Sequence, residues 1–234
     1  MSTEGNAEIY KRSPIGTFTK EHLIEYTSDW KGERFPDGRP KVPDDIIERM
    51  KGVTLTQAWS SCKGAEYEYQ FESGFTCTHP EGVLCGRALT ATFMPRRPDV
   101  RRALDKQGEG SHEGDHIHWP INALVQGDVY VADVYGKIDH GAIIGDNLAA
   151  SIKAKTGNGV VHNNSVRDIA GIKELPDFAC FIRGWHPSVA APTIMLTGLN
   201  CPTLIGGVTA MPGDVVLGKE DAVVFIPPHL AENT

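Results

Sequence analysis

The sequence contains no apolar run that approaches the ~20 residues of a membrane-spanning helix. Residues 1–12 also lack the apolar stretch of a secretory signal. The 5 cysteines form no CxxC pair, which argues against a structural zinc site and favours buried thiols in a reducing compartment. We therefore expect a cytoplasmic protein that has no contact with a membrane.

Basic charge is also scarce, because the formal net charge is -7. A nucleic-acid-binding protein normally presents a basic surface, so we expect no nucleic-acid partner. The motifs GxxxxGK[ST], GxSxG, HExxH and GxGxxG are absent, so no nucleotide- or methyl-donor-binding loop is predicted. An acidic chain of this kind can still bind an acidic small molecule if it places a metal ion or an arginine locally.

The chain divides into two parts of different composition. Residues 1–44 are polar and rich in turn signals such as Pro36-Asp37-Gly38, which predict an N-terminal extension. This arm either wraps a neighbouring subunit or is a loose terminus. Over residues 45–234, helical and strand patterns alternate in the middle and strands cluster at the end. That order predicts a single α/β domain with mixed layers and a closed or strongly curved sheet.

The local patterns also predict the individual elements. Besides a short helix at Lys20–Tyr26, helices are predicted to begin near Pro43, Leu55, Pro98, Trp119, Gly145 and Arg167. Strands are predicted over Val83–Phe93, Val129–Ala132, Val160–Val161, Phe178–Ile182, Leu204–Ile205, Val208–Ala210, Val215–Leu217 and Val223–Ile226.

Two strand-to-helix junctions carry the residues of greatest chemical interest, Gly145-Asp146-Asn147 and Arg167-Asp168. Free backbone N–H groups at a helix start attract anions, and an arginine adds a bidentate fork for a carboxylate. An aspartate beside them suits a hard divalent cation, which prefers oxygen ligands. Together these groups could hold a 2-oxo acid and stabilise the enolate formed when a C–C bond breaks. On spacing alone, however, a helix cap and a surface ion pair are commoner roles.

Several motifs resemble those of the RraA-like family, which includes 4-hydroxy-4-methyl-2-oxoglutarate and 4-carboxy-4-hydroxy-2-oxoadipate aldolases. Asp146, twenty intervening residues and Arg167-Asp168 match its D-x20-R-D signature. The remaining resemblance lies in three runs of sequence: Gly127–Asp133, Gly145–Ala149, and Pro212–Val216 with Val223–Pro227.

The resemblance implies an RraA-like swivelling β/β/α sandwich with a barrel-like core, assembled as a homotrimer or hexamer. By position, Asp168 would be the ligand of Mg²⁺ or Mn²⁺, and Asp146 would act through a metal-bound water. Arg167 would contact the substrate carboxylate and the developing enolate oxygen. The implied carboxylate-binding backbone belongs to Gly145, Asn147 and Leu148.

The function implied by the resemblance is a divalent-metal-dependent aldolase or decarboxylase that acts on small 2-oxo acids through a pyruvate-type enolate. Two alternatives stay open: a non-catalytic protein-binding regulator of the ribonuclease E inhibitor type, and a related lyase or hydratase on a sugar-derived oxo acid. Residues 163–165 depart from the family's usual glycine-rich pattern, which would place polar groups beside the site. The aldolases also supply a C-terminal acid to a neighbouring site; here either the protein lacks that acid or it lies beyond Thr234.

Four further residues are accessory candidates. His116 and His118 belong to the metal-ligand-rich loop 112–118 and would act as second-site ligands or proton donors, although a polar loop is the commoner reading. Asn163 would lie beside the site. Arg183 follows an apolar strand and is either a second substrate-binding cation or a member of an ordinary ion pair.

Overall fold

The structure is a computed structural model that describes residues 15–109 and 114–234. The α-helices are α1 Lys20–Tyr26, α2 Asp44–Met50, α3 Leu55–Gly64, α4 Pro98–Gly108, α5 Trp119–Ala123, α6 Asp146–Thr156 and α7 Ile169–Lys173, with a 3₁₀ helix at Pro228–Asn233. The strands are β1 Phe71–Glu72, β2 Thr76–Cys77, β3 Leu84–Pro95, β4 Asp128–Asp133, β5 Val160–Val166, β6 Cys180–Trp185, β7 Ile194–Leu199, β8 Thr203–Ile205, β9 Val208–Ala210, β10 Val215–Lys219 and β11 Ala222–Ile226. No helix in these described ranges is long and apolar enough to cross a membrane.

Helix boundaries follow ordinary local signals. Thr54 and Gln57 form a reciprocal capping box at the start of α3, which satisfies backbone N–H groups that the helix cannot. The helix α6 ends at Gly157, whose φ of 71° is the left-handed conformation that glycine adopts without steric cost. The start of α3 at Leu55 and the start of α6 next to Gly145 agree with the sequence-based predictions.

The main sheet is mixed and runs β1-β11-β10-β3-β4-β5-β6-β2, with β7 also paired to β3. Strands β3, β4, β5 and β6 are mutually parallel, and the flanking pairs are antiparallel. Neighbouring strands lie ~4.8 Å apart, so a flat sheet would separate β1 from β2 by roughly 34 Å. The four residue steps from Glu72 to Thr76 span at most ~14 Å. The sheet therefore curls until its two edge strands approach each other.

A network of polar side-chain contacts links the two edges of the sheet where they meet. Arg183 of β6 forms an ion pair with Glu72 of β1, donates to the carbonyl of Ser73 at 2.9 Å, and lies 4.0 Å from the centre of the Phe75 ring. The same guanidinium donates to Asn163 Oδ1 at 3.0 Å. Because these contacts join β5, β6 and β1, Arg183 fastens the curled sheet.

Hydrophobic residues cover both faces of the sheet. Inside the curl, Val129, Val131, Val161 and Phe181 belong to one buried cluster, while alternate residues such as Tyr130 face the helices α4–α7. Helices α2 and α3 cover the outer face of β10 and β11 in a third cluster. This alternation is the period of two that β-strands impose on side chains.

The described part of the predicted N-terminal extension packs on the domain of its own chain. Arg39 is 1% exposed and pairs with Asp37 at 2.7 Å and with Asp128 at 2.9 Å. Gly16 donates to the Thr197 carbonyl at 2.6 Å. Whether residues 1–44 form a separate unit remains a prediction, and residues 1–14 lie outside the described ranges.

The predicted mixed α/β class is confirmed. The predicted helices and strands are present; the main differences are a longer β5 and three strands, β1, β2 and β7, that the sequence patterns do not predict. Strand β5 continues to Val166 rather than ending at Val161, because polar Asn163, Asn164 and Ser165 are held in the sheet by internal hydrogen bonds. Strand β7 was not predicted, since its run of apolar residues follows the turn-like Pro187–Pro192 segment without a clear signal.

Candidate active site at the carboxyl ends of the parallel strands

The two predicted junctions meet at the carboxyl ends of the parallel strands. Strand β5 ends at Val166 and leads through Arg167 and Asp168 into α7. The loop after β4 reaches α6 at Gly145, and the Arg167 N–H donates to the carbonyl of Ile144 at 3.0 Å. Ligands of α/β sheets bind at this edge, so the placement favours a binding site.

Gly145 shows how closely the junctions approach. A Cβ atom at this position would lie 2.5 Å from Asp168 Oδ2 and 3.0 Å from Arg167 Cγ. Such distances are shorter than van der Waals contact, so a side chain here would displace the carboxylate. The start of α6 and the Arg167-Asp168 pair therefore form one cluster, and Gly145 acts by leaving room for it.

Asp146 contributes the second carboxylate of this cluster. Its Oδ1 accepts a hydrogen bond from the Asn147 N–H at 2.7 Å. Its Oδ2 would lie 2.8 Å from a Cβ atom on Gly171, which places Asp146 against α7. Both aspartates thus lie between the starts of α6 and α7, where helix N-termini attract negative charge.

Asp168 does not have the capping role that its position suggests. It is the N-cap residue of α7, but its side chain makes no cap hydrogen bond. Its φ of 56° is in the left-handed region, which is uncommon for aspartate and costs about 1 kcal/mol or more. The carboxylate instead pairs with Arg167 Nη1 at 2.6 Å, and the two side chains are 40% and 35% exposed. Both remain accessible to a ligand.

The donor set fits Mg²⁺ or Mn²⁺ better than a metal that needs a complete protein cage. Among residues 15–109 and 114–234, no group of three or more His, Cys, Asp or Glu could hold a metal ion. Mg²⁺ commonly keeps several waters and binds through one or two carboxylates. Asp168 and Asp146 are the two carboxylates of the cluster that would hold such an ion.

The polar side chains that precede Arg167 form hydrogen bonds with other residues of the chain. Asn163 Nδ2 donates to Asp133 at 2.8 Å, Asn164 Nδ2 donates to the Gly141 carbonyl at 2.8 Å, and Ser165 Oγ donates to the Ile138 carbonyl at 2.7 Å. Burial raises the pKa of Asp133. The structure thus gives these side chains a role in fixing the loop after β4, and it places the accessory candidates Asn163 and Arg183 in the sheet closure.

The histidine candidates of the 112–118 loop lie at the start of α5. His116 is buried, with Nδ1 2.5 Å from Asp115 Oδ1 and its ring 6.3 Å from that of Phe93. His118 Nδ1 accepts from the Asp115 N–H at 3.1 Å. These contacts are structural, whereas His112 and Glu113 of the same loop lie outside the described residues.

A group of two histidines, an aspartate and a serine, which the sequence analysis does not select, lies next to the site. Asp139 Oδ1 is 3.0 Å from His186 Nε2 and 3.4 Å from His140 Nε2, and His140 Nδ1 is 2.6 Å from Ser188 Oγ. The His186 N–H donates to the carbonyl of Val166, one residue before Arg167. Sequence alone gave Ser188 no signal, because a loop turn brings it back to His140.

The fold and site define a mixed α/β protein with an exposed Arg–Asp pair beside a helix start at the carboxyl ends of its parallel strands. A family model described as "RraA-like: Aldolase/RraA" matches residues 54–225. Because the match covers most of the sequence, the chain belongs to the RraA-like family.

Individual relatives agree with this assignment. The chain is 36% identical over 148 residues to a protein of Halalkalibacterium halodurans named "Putative 4-hydroxy-4-methyl-2-oxoglutarate aldolase", covering 62% of this chain and 69% of that protein. It is 26% identical over 199 residues to Protein DlpA of Legionella pneumophila, covering 82% of this chain but only 30% of DlpA. The crystal structure of Streptomyces coelicolor RraAS2 superposes with a TM-score of 0.67 at 23% identity, covering 83% of this chain and 91% of that one, which shows the shared fold.

Proposed function

We propose that this chain is a divalent-metal-dependent lyase that cleaves or decarboxylates small 2-oxo acids. The observation that carries the proposal is the approach of Asp168 and Arg167 to Gly145, which gathers a carboxylate, a guanidinium and a helix start in one exposed cluster. The guanidinium and the helix start suit the carboxylate and keto oxygen of a 2-oxo acid, and the carboxylate suits a divalent metal ion.

The reaction follows from these positions. In aldol cleavage, a water held at Asp146 would take the proton of the C4 hydroxyl, C4 becomes a carbonyl carbon as the C3–C4 bond breaks, and the electron pair of that bond moves to the C2 carbonyl to give an enolate. Protonation of the enolate at C3 then gives pyruvate. Decarboxylation gives the same enolate with release of CO₂. Arg167 would bind the substrate carboxylate and the enolate oxygen, and the N–H groups of Asn147 and Leu148 would orient the carboxylate. Mg²⁺ or Mn²⁺ held by Asp168, and by Asp146 through water, would supply Lewis-acid stabilisation of the enolate.

Self-association is part of the proposal. The apolar side chains of Tyr135, Ile138, Trp185 and Val189 are 42%, 37%, 58% and 41% exposed, and all follow strands or loops at the end of the sheet that carries the site. Exposed apolar groups that cluster together mark protein interfaces. A homotrimer or hexamer that buries them would enclose the half-exposed Arg167-Asp168 pair. The swivelling β/β/α arrangement and the cytoplasmic location belong to the same proposal.

The test is pyruvate release from oxaloacetate and from 4-hydroxy-4-methyl-2-oxoglutarate, with Mg²⁺ or Mn²⁺ and with EDTA. We expect metal-dependent turnover that falls at least a hundredfold in Asp168→Asn and in Arg167→Lys. The matched controls Asp99→Asn and Arg97→Lys alter another exposed Arg–Asp pair, at 2.9 Å, and should retain activity.

Failure would be informative about the alternatives. Absence of metal-dependent turnover on both substrates would contradict the proposal and leave the protein-binding regulator as the better reading. A lyase or hydratase on a sugar-derived oxo acid receives less support, because Asn163, Asn164 and Ser165 bind other parts of the protein.

A further inference from the structure

A cavity lies at the amino end of the parallel strands, away from the exposed Arg167-Asp168 cluster. Its volume is about 280 Å³, and its lining includes Tyr26–Trp30, Tyr67, Asp214 and His229. The Asp214 carbonyl accepts a hydrogen bond from the Ala88 N–H of β3. In the sheet register, Val215 of β10 lies opposite Arg87 of β3, and Arg87 lies opposite Asp128 at the start of β4. The cavity and the candidate active site are therefore at opposite ends of the sheet.

Asp214 is the unusual group in this cavity. It is only 2% exposed, and its Oδ2 accepts a hydrogen bond from the Met211 N–H at 2.8 Å. Within the described residues, the Met211 N–H is the one hydrogen-bond donor to this carboxyl, and no cation pairs with it. Burial raises the pKa of this carboxyl to about 8. Ionising a buried acid costs free energy when no cation is nearby, unless a ligand supplies the positive charge.

The rest of the lining also favours a cation. Burial raises the pKa of Tyr67, and the negative charges of Asp29 and Asp214 add to the effect, which places both acids near this ring. Trp30 donates its indole N–H to the Glu33 carbonyl at 2.7 Å, so its ring contributes only aromatic surface to the cavity. Tryptophan and tyrosine rings attract ammonium and guanidinium groups, most strongly where water is excluded.

We propose that this cavity binds a small organic cation, a primary amine or a guanidinium compound, which pairs with Asp214 and packs against Trp30 and Tyr67. An anionic ligand would meet Asp29 and Asp214, and no lysine or arginine is among the described residues that line the cavity. The aromatic surface of Trp30 and Tyr67 suits the apolar part of an organic cation better than a bare metal ion. The inference does not depend on the proposed lyase activity.

Calorimetric titration of the full chain tests the proposal, with agmatine and 1,4-diaminobutane as probes and 1,4-butanediol as the uncharged control. We expect saturable binding of at least one cation and none of the diol. Asp214→Asn keeps the acceptor for the Met211 N–H and should weaken binding at least tenfold, as should Trp30→Leu. Asp99→Asn is the matched control and should bind like the unmodified protein.

The pH dependence gives a second readout. The groups that face the carboxyl are Tyr67 and Cys62, with Asp29 and His229 on the cavity wall. A cation that pairs with Asp214 must displace its proton, so affinity should rise about tenfold per pH unit between pH 6 and 7.5. This rise should persist in His229→Gln and disappear in Asp214→Asn. Absence of binding by both cations, or equal binding by a folded Asp214→Asn variant, would overturn the proposal.

Discussion

The two ends of the sheet use the same residue types in opposite ways. At the amino end, Arg39 and Asp128 are 1% and 0% exposed and pair at 2.9 Å inside the protein. At the carboxyl end, Arg167 and Asp168 pair at 2.6 Å but remain 35% and 40% exposed. The buried pair has further protein partners, since Arg39 also binds Asp37 and packs over the Phe35 ring.

The difference separates charges that hold the fold from charges that can act on a ligand. A buried ion pair is destabilising to break, because the remaining charge has neither water nor a partner. An exposed pair contributes about 0–1 kcal/mol, so it can exchange its partner for a substrate or a metal ion at low cost. Asp214 fits neither class, because it is buried at the amino end but lacks a cation.

The largest expected contrast is between Arg39→Met and Arg167→Met. Arg39→Met leaves Asp37 and Asp128 buried without their cation and should lower the free energy of unfolding by about 3–5 kcal/mol. Arg167→Met should change it by less than about 1 kcal/mol while abolishing pyruvate release. Urea denaturation of both variants checks the stabilities. Equal destabilisation would mean that the Arg167-Asp168 pair is a structural element like the buried one.

The next effect concerns the pH dependence of stability. Burial raises the pKa of the Asp214 carboxyl to about 8 in the folded protein from its ordinary value of 3.8, so between these values the folded state holds a proton that the unfolded state has lost. Stability should therefore fall as pH rises, by roughly 2–3 kcal/mol from pH 5 to 7. Asp214→Asn should remove this decrease in urea denaturation series. An unchanged series in the variant would contradict the burial of an unpaired acid.

His162 should give a smaller pH dependence of stability, of opposite sign to that of Asp214. Its buried ring packs edge-on against Tyr130 at 4.8 Å, and burial lowers its pKa to about 3. Below pH 6.5 the unfolded state gains a proton that the folded state does not, so stability should fall by about 1 kcal/mol from pH 6 to 5. His162→Phe keeps the ring shape and should abolish that loss. A variant that loses stability in acid as the unmodified protein does would show that His162 is not the group responsible.

The sequence predicted the main elements and the Asp146, Arg167 and Asp168 cluster, because glycine turns, helix starts and short motifs are local signals. The closure by Arg183, Asn163 and Glu72 was beyond local patterns, since its members are up to 111 residues apart. The Asp214 cavity could not be predicted from local patterns either. The run that contains Pro212-Gly213-Asp214 stands out in the sequence, but the wall supplied by Tyr26–Trp30 depends on long-range packing.

The smallest expected effect tests the space beside the site. A Cβ in Gly145→Ala would lie 2.5 Å from Asp168 Oδ2, so the carboxylate must move although the fold need not. We expect pyruvate release to fall about tenfold, since small displacements of catalytic groups cost rate, with under about 1 kcal/mol of destabilisation. Gly64→Ala is the matched control, because a Cβ at the end of α3 meets nothing within 4 Å. Full activity in Gly145→Ala would mean that Asp168 has no fixed position in the reaction.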